Sequence, residues 1–189
     1  MIMDYTMQQR IELIMRECLS SDETDPIKLF YKIACMDFVR IHGPEHHFLD
    51  GACILVAYRN AVGNVDLREG LCLIAERSMK MPGAMCGHWG VCGAVTSIGA
   101  ALSVIDGTGP LSEADWGKHM QYTSQALSAL SKTGGPRCCK RDTFLAFVTA
   151  IEYINESYNV KLPYSNIKCI FSHRNEQCLA ERCPFYAKN

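Results

Sequence analysis

Apolar residues recur every three or four positions along almost the whole of this chain, and no convincing one-by-one alternation interrupts them. That period restricts the chain to helices packed on helices, because a half-buried sheet needs a period of two. Met7, Ile11, Ile14, Met15 and Cys18 share one helical face. Asp25-Pro26 starts a second helix, with Asp as cap and Pro at the first position, and turns Ile27, Phe30, Ile33, Ala34 and Phe38 inward. Gly43-Pro44 opens a third, from about Glu45 to Tyr58. Its Phe48, Leu49, Cys53, Ile54, Leu55 and Val56 leave almost no polar face, which predicts a central position.

Asp66 begins a fourth helix carrying Leu67, Leu71, Ile74 and Ala75, ended by Met81-Pro82-Gly83. A fifth starts near Val91 or Cys92 and is rich in Gly, Ala and Ser, which permits close helix–helix approach. After the break at Asp106-Gly-Thr-Gly-Pro110, Ser112-Glu-Ala-Asp115 resembles a capping box for a helix with Trp116, Met120, Thr123, Leu127 and Leu130 inward. Gly134-Gly135-Pro136 closes it, and a last long helix carries Phe144, Phe147, Val148, Ile151 and Ile154. The expected fold is all-α: one domain over 1–189, with an N-terminal helical pair (1–40), a helical core (41–162) and an irregular cysteine-rich knuckle (163–189), about seven helices in all.

The 189 residues, 48% of them apolar, suffice for a real core. A net charge of −1 argues against bulk attraction to nucleic acid or membrane. Residues 161–189 hold five Lys/Arg against two Glu, only a modest local excess. The weakly polar stretch Cys92 to Ile105 is too short to span a bilayer. The N-terminus Met-Ile-Met-Asp-Tyr-Thr shows no basic region followed by an apolar run, so a cytoplasmic location is expected. Eleven cysteines, an odd number, then suit a reducing interior, where clustered thiols serve metals or redox chemistry. No strand precedes Gly87 to Gly93, so that glycine-rich stretch is neither a Walker nor a Rossmann loop.

The cysteines fall into two groups. Cys18, Cys35, Cys53 and Cys72 lie within apolar stripes and read as small buried hydrophobes. Cys86, Cys92, Cys138, Cys139, Cys169, Cys178 and Cys183 fall at breaks or helix starts and are the candidate metal ligands. In Cys86-Gly-His-Trp-Gly-Val-Cys92-Gly93, the glycines let backbone N–H groups approach sulfur, and Cys92 in a first helical turn gains from the helix dipole. In Arg137-Cys138-Cys139-Lys140-Arg141, three cations flank a vicinal pair, which predicts lowered thiol pKa values and charge balance for thiolates. The tail reads C-x8-C-x4-C-P, and a Cys-Pro ending also occurs in ferredoxin-type ligation. Zinc sites usually show C-x2-C steps, of which this chain has none. Seven thiols divide as four plus three, the second set leaving an iron position open or using a histidine.

Ile41-His42-Gly43-Pro44-Glu45-His46-His47 is the second unusual segment. His46 and Asp50 are four apart on one helical face, where a carboxylate fixes a histidine tautomer. His42 precedes the helix and can fold back. His46, His47, His88 and Arg137 are the candidate cofactor contacts. His119 is expected on a solvated face, and His173 either on the surface or as a nitrogen ligand.

With these segments assembled, the chain resembles an uncharacterised cysteine-rich domain-of-unknown-function family found largely in anaerobic bacteria and archaea, alone or fused to S-adenosylmethionine-dependent methyltransferases. The resemblance rests on His42-Gly-Pro-Glu-His-His47, Cys86-Gly-His-Trp-Gly-Val-Cys92-Gly93-Ala94, Gly134-Gly-Pro-Arg-Cys-Cys-Lys-Arg-Asp142 and Cys169-x3-His173-Arg174-x3-Cys178-x4-Cys183-Pro184. Cys92-Gly-Ala-x4-Gly99 is similar, in part, to redox-active helical proteins named for a C-GCA-x-x-G-C-C pattern. Both resemblances imply anaerobic redox or metal chemistry, with a redox protein or a methyltransferase as partner. The leading expectation is a cysteine-ligated iron–sulfur protein in redox or sulfur chemistry. The alternatives are a zinc-binding structural or interaction module, and a metal-free thiol oxidoreductase using Cys138 and Cys139.

Overall fold

The computed structural model describes residues 4–187. Its helices are α1 (Met7–Leu19), α2 (Pro26–Ala34), α3 (His46–Val62), α4 (Leu67–Met79), α5 (Met85–His88), α6 (Gly93–Ile105), α7 (Lys118–Thr133) and α8 (Cys139–Ser157), followed by 3-10 turns at Ser172–Arg174 and Ala180–Arg182. The fold is all-α. Among the described residues the only β-pairing noted is an isolated bridge between Cys169 and Tyr186. Among them, too, no helix is long and apolar enough to cross a membrane.

Side-chain caps set several of the helix starts. Thr6 and Gln9 form a reciprocal capping box on α1. Asp25 accepts the N–H groups of Ile27 and Lys28, with Pro26 at the first position of α2. Asp66 accepts the Glu69 N–H at the start of α4. Gly63, at φ +80°, ends α3 in the left-handed conformation that glycine adopts freely.

Helix α3 is the axis of the molecule. Every residue from His46 to Tyr58 is buried, because α1, α2, α4, α6 and α8 surround it. Its closest neighbour is α6. A Cβ on Gly51 would overlap the Ser97 carbonyl, and the bare Gly51 N–H donates to Ser97 Oγ at 2.8 Å. On the other side Phe30 meets Phe144 and Phe147 edge-on at 5.5 and 5.6 Å, joining α2 to α8. One continuous core runs from Ile11 to Phe171.

Three expectations need correction. Ser112 does not cap a helix: its Oγ accepts the Gly109 N–H in a turn, and α7 begins at Lys118. The buried face of α7 is therefore Tyr122 and Ala126, while Trp116 and Met120 are exposed. Cys35 and Cys72 are exposed, Cys35 because it lies past the end of α2 and Cys72 because it sits one residue off the buried Leu71. Cys18 and Cys53 are buried as expected. The additional helix is α5, a single turn within the stretch read as a break.

The tail has no core of its own and borrows one. Phe171 lies parallel to Tyr31 at 6.0 Å, and Phe185 meets Phe144 at 5.4 Å. Tyr31 donates to the Lys168 carbonyl at 2.7 Å, and Ser165 to Asp25 at 2.7 Å. Phe171 and Leu179 are almost fully buried, each worth about 2 kcal/mol of apolar burial.

Candidate metal centre and adjoining cavity

The seven cysteines at chain breaks separate into two groups of neighbours. Cys138, at the N-cap of α8, joins Cys169, Cys178 and Cys183 of the tail around one narrow pocket of about 10 Å³. Phe144, Phe171, Leu179 and Phe185 supply its apolar walls. The three tail thiols lie near enough for the charges of Cys178 and Cys183 to act on Cys169.

Donors converge on these sulfurs. Asn175 Nδ2 donates to Cys138 Sγ at 3.3 Å and the Arg141 N–H at 3.5 Å. The Ala180 N–H reaches Cys178 Sγ at 3.4 Å, and the N–H groups of Phe171 and Ser172 face Cys169. Arg141 is buried beside the same pocket. Its Nε donates to Asp142 at 3.0 Å and its Nη2 to the Pro136 carbonyl at 3.1 Å, while Nη1 is buried with no hydrogen-bond partner. A pocket of four thiols with an unpaired guanidinium nitrogen at its wall is matched to negative charge on sulfur.

Cys139, one residue further, faces the other way. With Cys86 of α5 and Cys92 at the N-cap of α6 it lines a cavity of about 280 Å³. Its remaining walls include His42, His46, His47 and Asp50. Cys86, Cys92, Ala84, Arg137 and Asp142 also line a larger outer cavity of about 770 Å³, so the two spaces adjoin across those residues. Leu127 and Leu130 of α7, expected in the core, help wall the outer cavity, and His88 lines it.

Glycine and proline shape the inner cavity. A Cβ on Gly93 would overlap the His47 ring, so only glycine lets the start of α6 approach α3 this closely. His47 is 8% exposed, and its Nδ1 is buried without a partner. Gly43-Pro44 turns the chain so that Glu45, fully buried, accepts two hydrogen bonds from Arg40 Nε and Nη2, the latter at 2.6 Å. Burial pushes the Glu45 carboxyl up, but the Arg40 hydrogen bonds outweigh it and leave the pKa at about 2.

His42 does fold back. Its Nε2 donates to Asn175 Oδ1 at 2.9 Å and its Nδ1 accepts the Cys139 N–H at 3.4 Å, so one ring ties the two thiol groups together. His46 donates from Nδ1 to Asp50 at 3.4 Å and accepts from Lys140 Nζ at 3.1 Å. Asp50 also accepts from Thr143 at 2.8 Å. Lys140 is fully buried between Phe30 and Phe171, and burial lowers its pKa to about 8.

The thiol acidities reverse the sequence expectation. Burial raises Cys92 and Cys139 to about 12 and also raises Cys138 and Cys169. The Ala94 and Val95 N–H groups face Cys92 from beyond bonding distance, and the Gly43 N–H faces Cys139, but these dipoles are weaker than the loss of water. Among the described residues, no group of three or more His, Cys, Asp or Glu side chains is arranged to hold a single metal ion.

Other sequence candidates stand apart. His173 is exposed and joins neither group. His119 is not solvated: its Nε2 pairs with Thr108 at 2.8 Å and lies 3.5 Å from Asp106. Asn175 and the burial of Lys140 escaped the sequence reading. Asn175 has no spacing signal, since a lone tail asparagine looks like any loop residue. Lys140 had one: with Phe144, Phe147, Ile151 and Ile154 it continues the 3–4 stripe of α8.

A model described as a family of unknown function (DUF5714) matches residues 14–186. The match includes the C-terminal part of α1 and all of α2, so the family unit extends N-terminal to the motifs that carried the resemblance. No curated protein and no solved structure matches the chain.

Proposed function

We propose that this chain, which belongs to the DUF5714 family of unknown function, is a cytoplasmic cysteine-ligated metal protein of the iron–sulfur class, with its principal centre at Cys138, Cys169, Cys178 and Cys183. One observation carries the reading: four thiols from distant segments share a pocket into which backbone N–H groups and the Asn175 amide point, beside an unpartnered buried guanidinium nitrogen. Hydrogen bonds to sulfur and compensating cations set the charge and potential of such clusters. Thiolates on one zinc ion lie within about 4 Å of one another, as four ligands at ~2.3 Å must. A cluster interposes iron and sulfide between its thiolates, so it suits thiols that form no single-ion site among the described residues. The tail, closed on itself by the Cys169–Tyr186 bridge and docked on the helices through Phe171 and Phe185, carries three of the four thiols.

The cluster, once bound, supplies electron transfer or sulfur chemistry. The chain's own groups do the rest: Asn175 and the N–H donors stabilise thiolate, Arg141 balances its charge, and the phenylalanines exclude water. The partner is a redox protein or an S-adenosylmethionine-dependent methyltransferase. Zinc is the second reading, favoured by the narrowness of the pocket, about 10 Å³. A metal-free oxidoreductase is the weakest, because thiols raised to about 12 are protonated and poorly nucleophilic at neutral pH.

Anaerobic purification followed by iron, zinc and acid-labile sulfide analysis tests the proposal. Coloured protein containing iron and sulfide, lost in Cys178→Ser/Cys183→Ser from this pocket, is the expected result. Stoichiometric zinc without sulfide selects the structural reading. Protein that binds neither after reconstitution overturns both.

A further inference from the structure

We infer that the cavity walled by Cys86, Cys92 and Cys139 is a second, separate centre: an iron–sulfur cluster held by three thiolates, with one iron left open towards the outer cavity for a small anionic ligand. The site is distinct from the four-thiol pocket and does not require that pocket to hold iron.

The three thiols, from α5, the N-cap of α6 and the first position of α8, line one space of about 280 Å³, far roomier than the four-thiol pocket. Backbone N–H groups of Ala94 and Val95 face Cys92, and that of Gly43 faces Cys139. His47, over nine-tenths buried, lines the same cavity; its Nδ1 makes no hydrogen bond, and the Met81 carbonyl faces the ring. Protein side chains offer only three sulfurs here, whereas a cubane cluster has four irons to ligate. The fourth iron, on the side of Cys86 and Cys92 that borders the outer cavity, is then left to a ligand from outside, with His47 as a neighbour of the cluster rather than its ligand.

The approach to that position is built. Cys86 and Cys92 face both cavities, so a cluster bound to them borders the outer cavity of about 770 Å³. Arg137 and Arg141 line that outer space. Arg141 is already paired with Asp142, so the Arg137 guanidinium is the charge that meets an anion here. Leu127 and Leu130 add an apolar wall. A small carboxylate or thiolate that binds iron through its charged end fits this lining.

The test is anaerobic reconstitution with ferrous iron and sulfide of three proteins: wild type, Cys86→Ser/Cys92→Ser and Cys178→Ser/Cys183→Ser. Iron, sulfide and electron paramagnetic resonance spectra are measured with and without cyanide as the probe anion. The expected result is loss of about half the iron and sulfide in Cys86→Ser/Cys92→Ser. Cyanide should perturb the spectrum of wild type and of Cys178→Ser/Cys183→Ser but not that of Cys86→Ser/Cys92→Ser. Unchanged iron in Cys86→Ser/Cys92→Ser, or no iron in Cys178→Ser/Cys183→Ser, overturns the second centre. A retained cluster indifferent to cyanide overturns the open position. If Cys178→Ser/Cys183→Ser keeps all of the wild-type iron, the four-thiol reading fails while this one stands. Should the double variant lose its helical circular dichroism, Cys86→Ser alone, on the half-exposed one-turn α5, gives the same comparison.

Discussion

Cys138 and Cys139 are adjacent in sequence, yet they face different worlds. Cys138 looks into a narrow pocket of phenylalanines, completed by three tail thiols. Cys139 looks into a roomier space walled by histidines and Asp50, next to an outer cavity. The split arises because Cys138 is the extended N-cap residue of α8 and Cys139 its first helical residue, and successive helical side chains diverge by about 100°. A vicinal pair at a helix start is thus a way to serve two sites from one backbone position. The four-thiol pocket is narrow and walled by phenylalanines, with its three tail thiols partly exposed. The three-thiol cavity has titratable walls and adjoins an approach, as suits a centre that meets a ligand.

The sharpest way to break this contrast is to change the two neighbours one at a time. Cys138→Ser should remove the tail-associated centre and leave the other, and Cys139→Ser should do the reverse. Iron and sulfide per chain and the residual spectrum of each variant decide the matter. Identical spectra for the two variants would merge the sites into one.

Gly93→Ala probes the inner cavity alone. The added methyl must displace the His47 ring, an overpacking cost of about 2–3 kcal/mol. The thermal midpoint should fall by about 5–10 °C. A midpoint within a degree of wild type would mean that the start of α6 is not clamped on α3.

Asn175→Ala probes the joint between the two regions. It removes partners from both His42 and Cys138, at a cost of about 1–2 kcal/mol. Proteolysis of the tail should accelerate relative to cleavage elsewhere in the chain. Equal rates would show that aromatic docking, not Asn175, holds the tail.

The smallest effect is acidic. Glu45 titrates at about 2 in the folded chain against an ordinary 4.5, so its contribution is present above pH 4.5 and is lost as pH falls towards 2. Arg40 is half exposed, which limits the gain to about 1 kcal/mol. Glu45→Gln should flatten the fall of the thermal midpoint between pH 4.5 and 2. Parallel curves for the two proteins would remove Glu45 from the acid response of the inner cavity's rim.

The helical reading transferred well to the structure where apolar residues and caps agreed. The all-round apolar α3, the Asp25-Pro26 start of α2 and the Asp66 cap of α4 stand where the pattern put them. It failed where polar punctuation imitated a cap, at Ser112, and where a cysteine merely adjoined a stripe, at Cys35 and Cys72. The site residues were legible as types: cysteines at breaks, and histidines and cations beside them. Their acidity was not legible, because helix dipoles and neighbouring cations are visible in a sequence whereas depth of burial is not.

The amino-acid order alone determined that this chain folds as helices around α3 and that seven of its thiols stand at helix starts and breaks, since period, caps and breakers act over a few residues. Which thiol neighbours which was decided only in three dimensions. The tail docks through Phe171 and Phe185 onto α2 and α8, and α6 meets α3 across Gly51 and Gly93. Those contacts join residues far apart in the chain, so no local pattern encodes the division into four sulfurs on one side of α8 and three on the other.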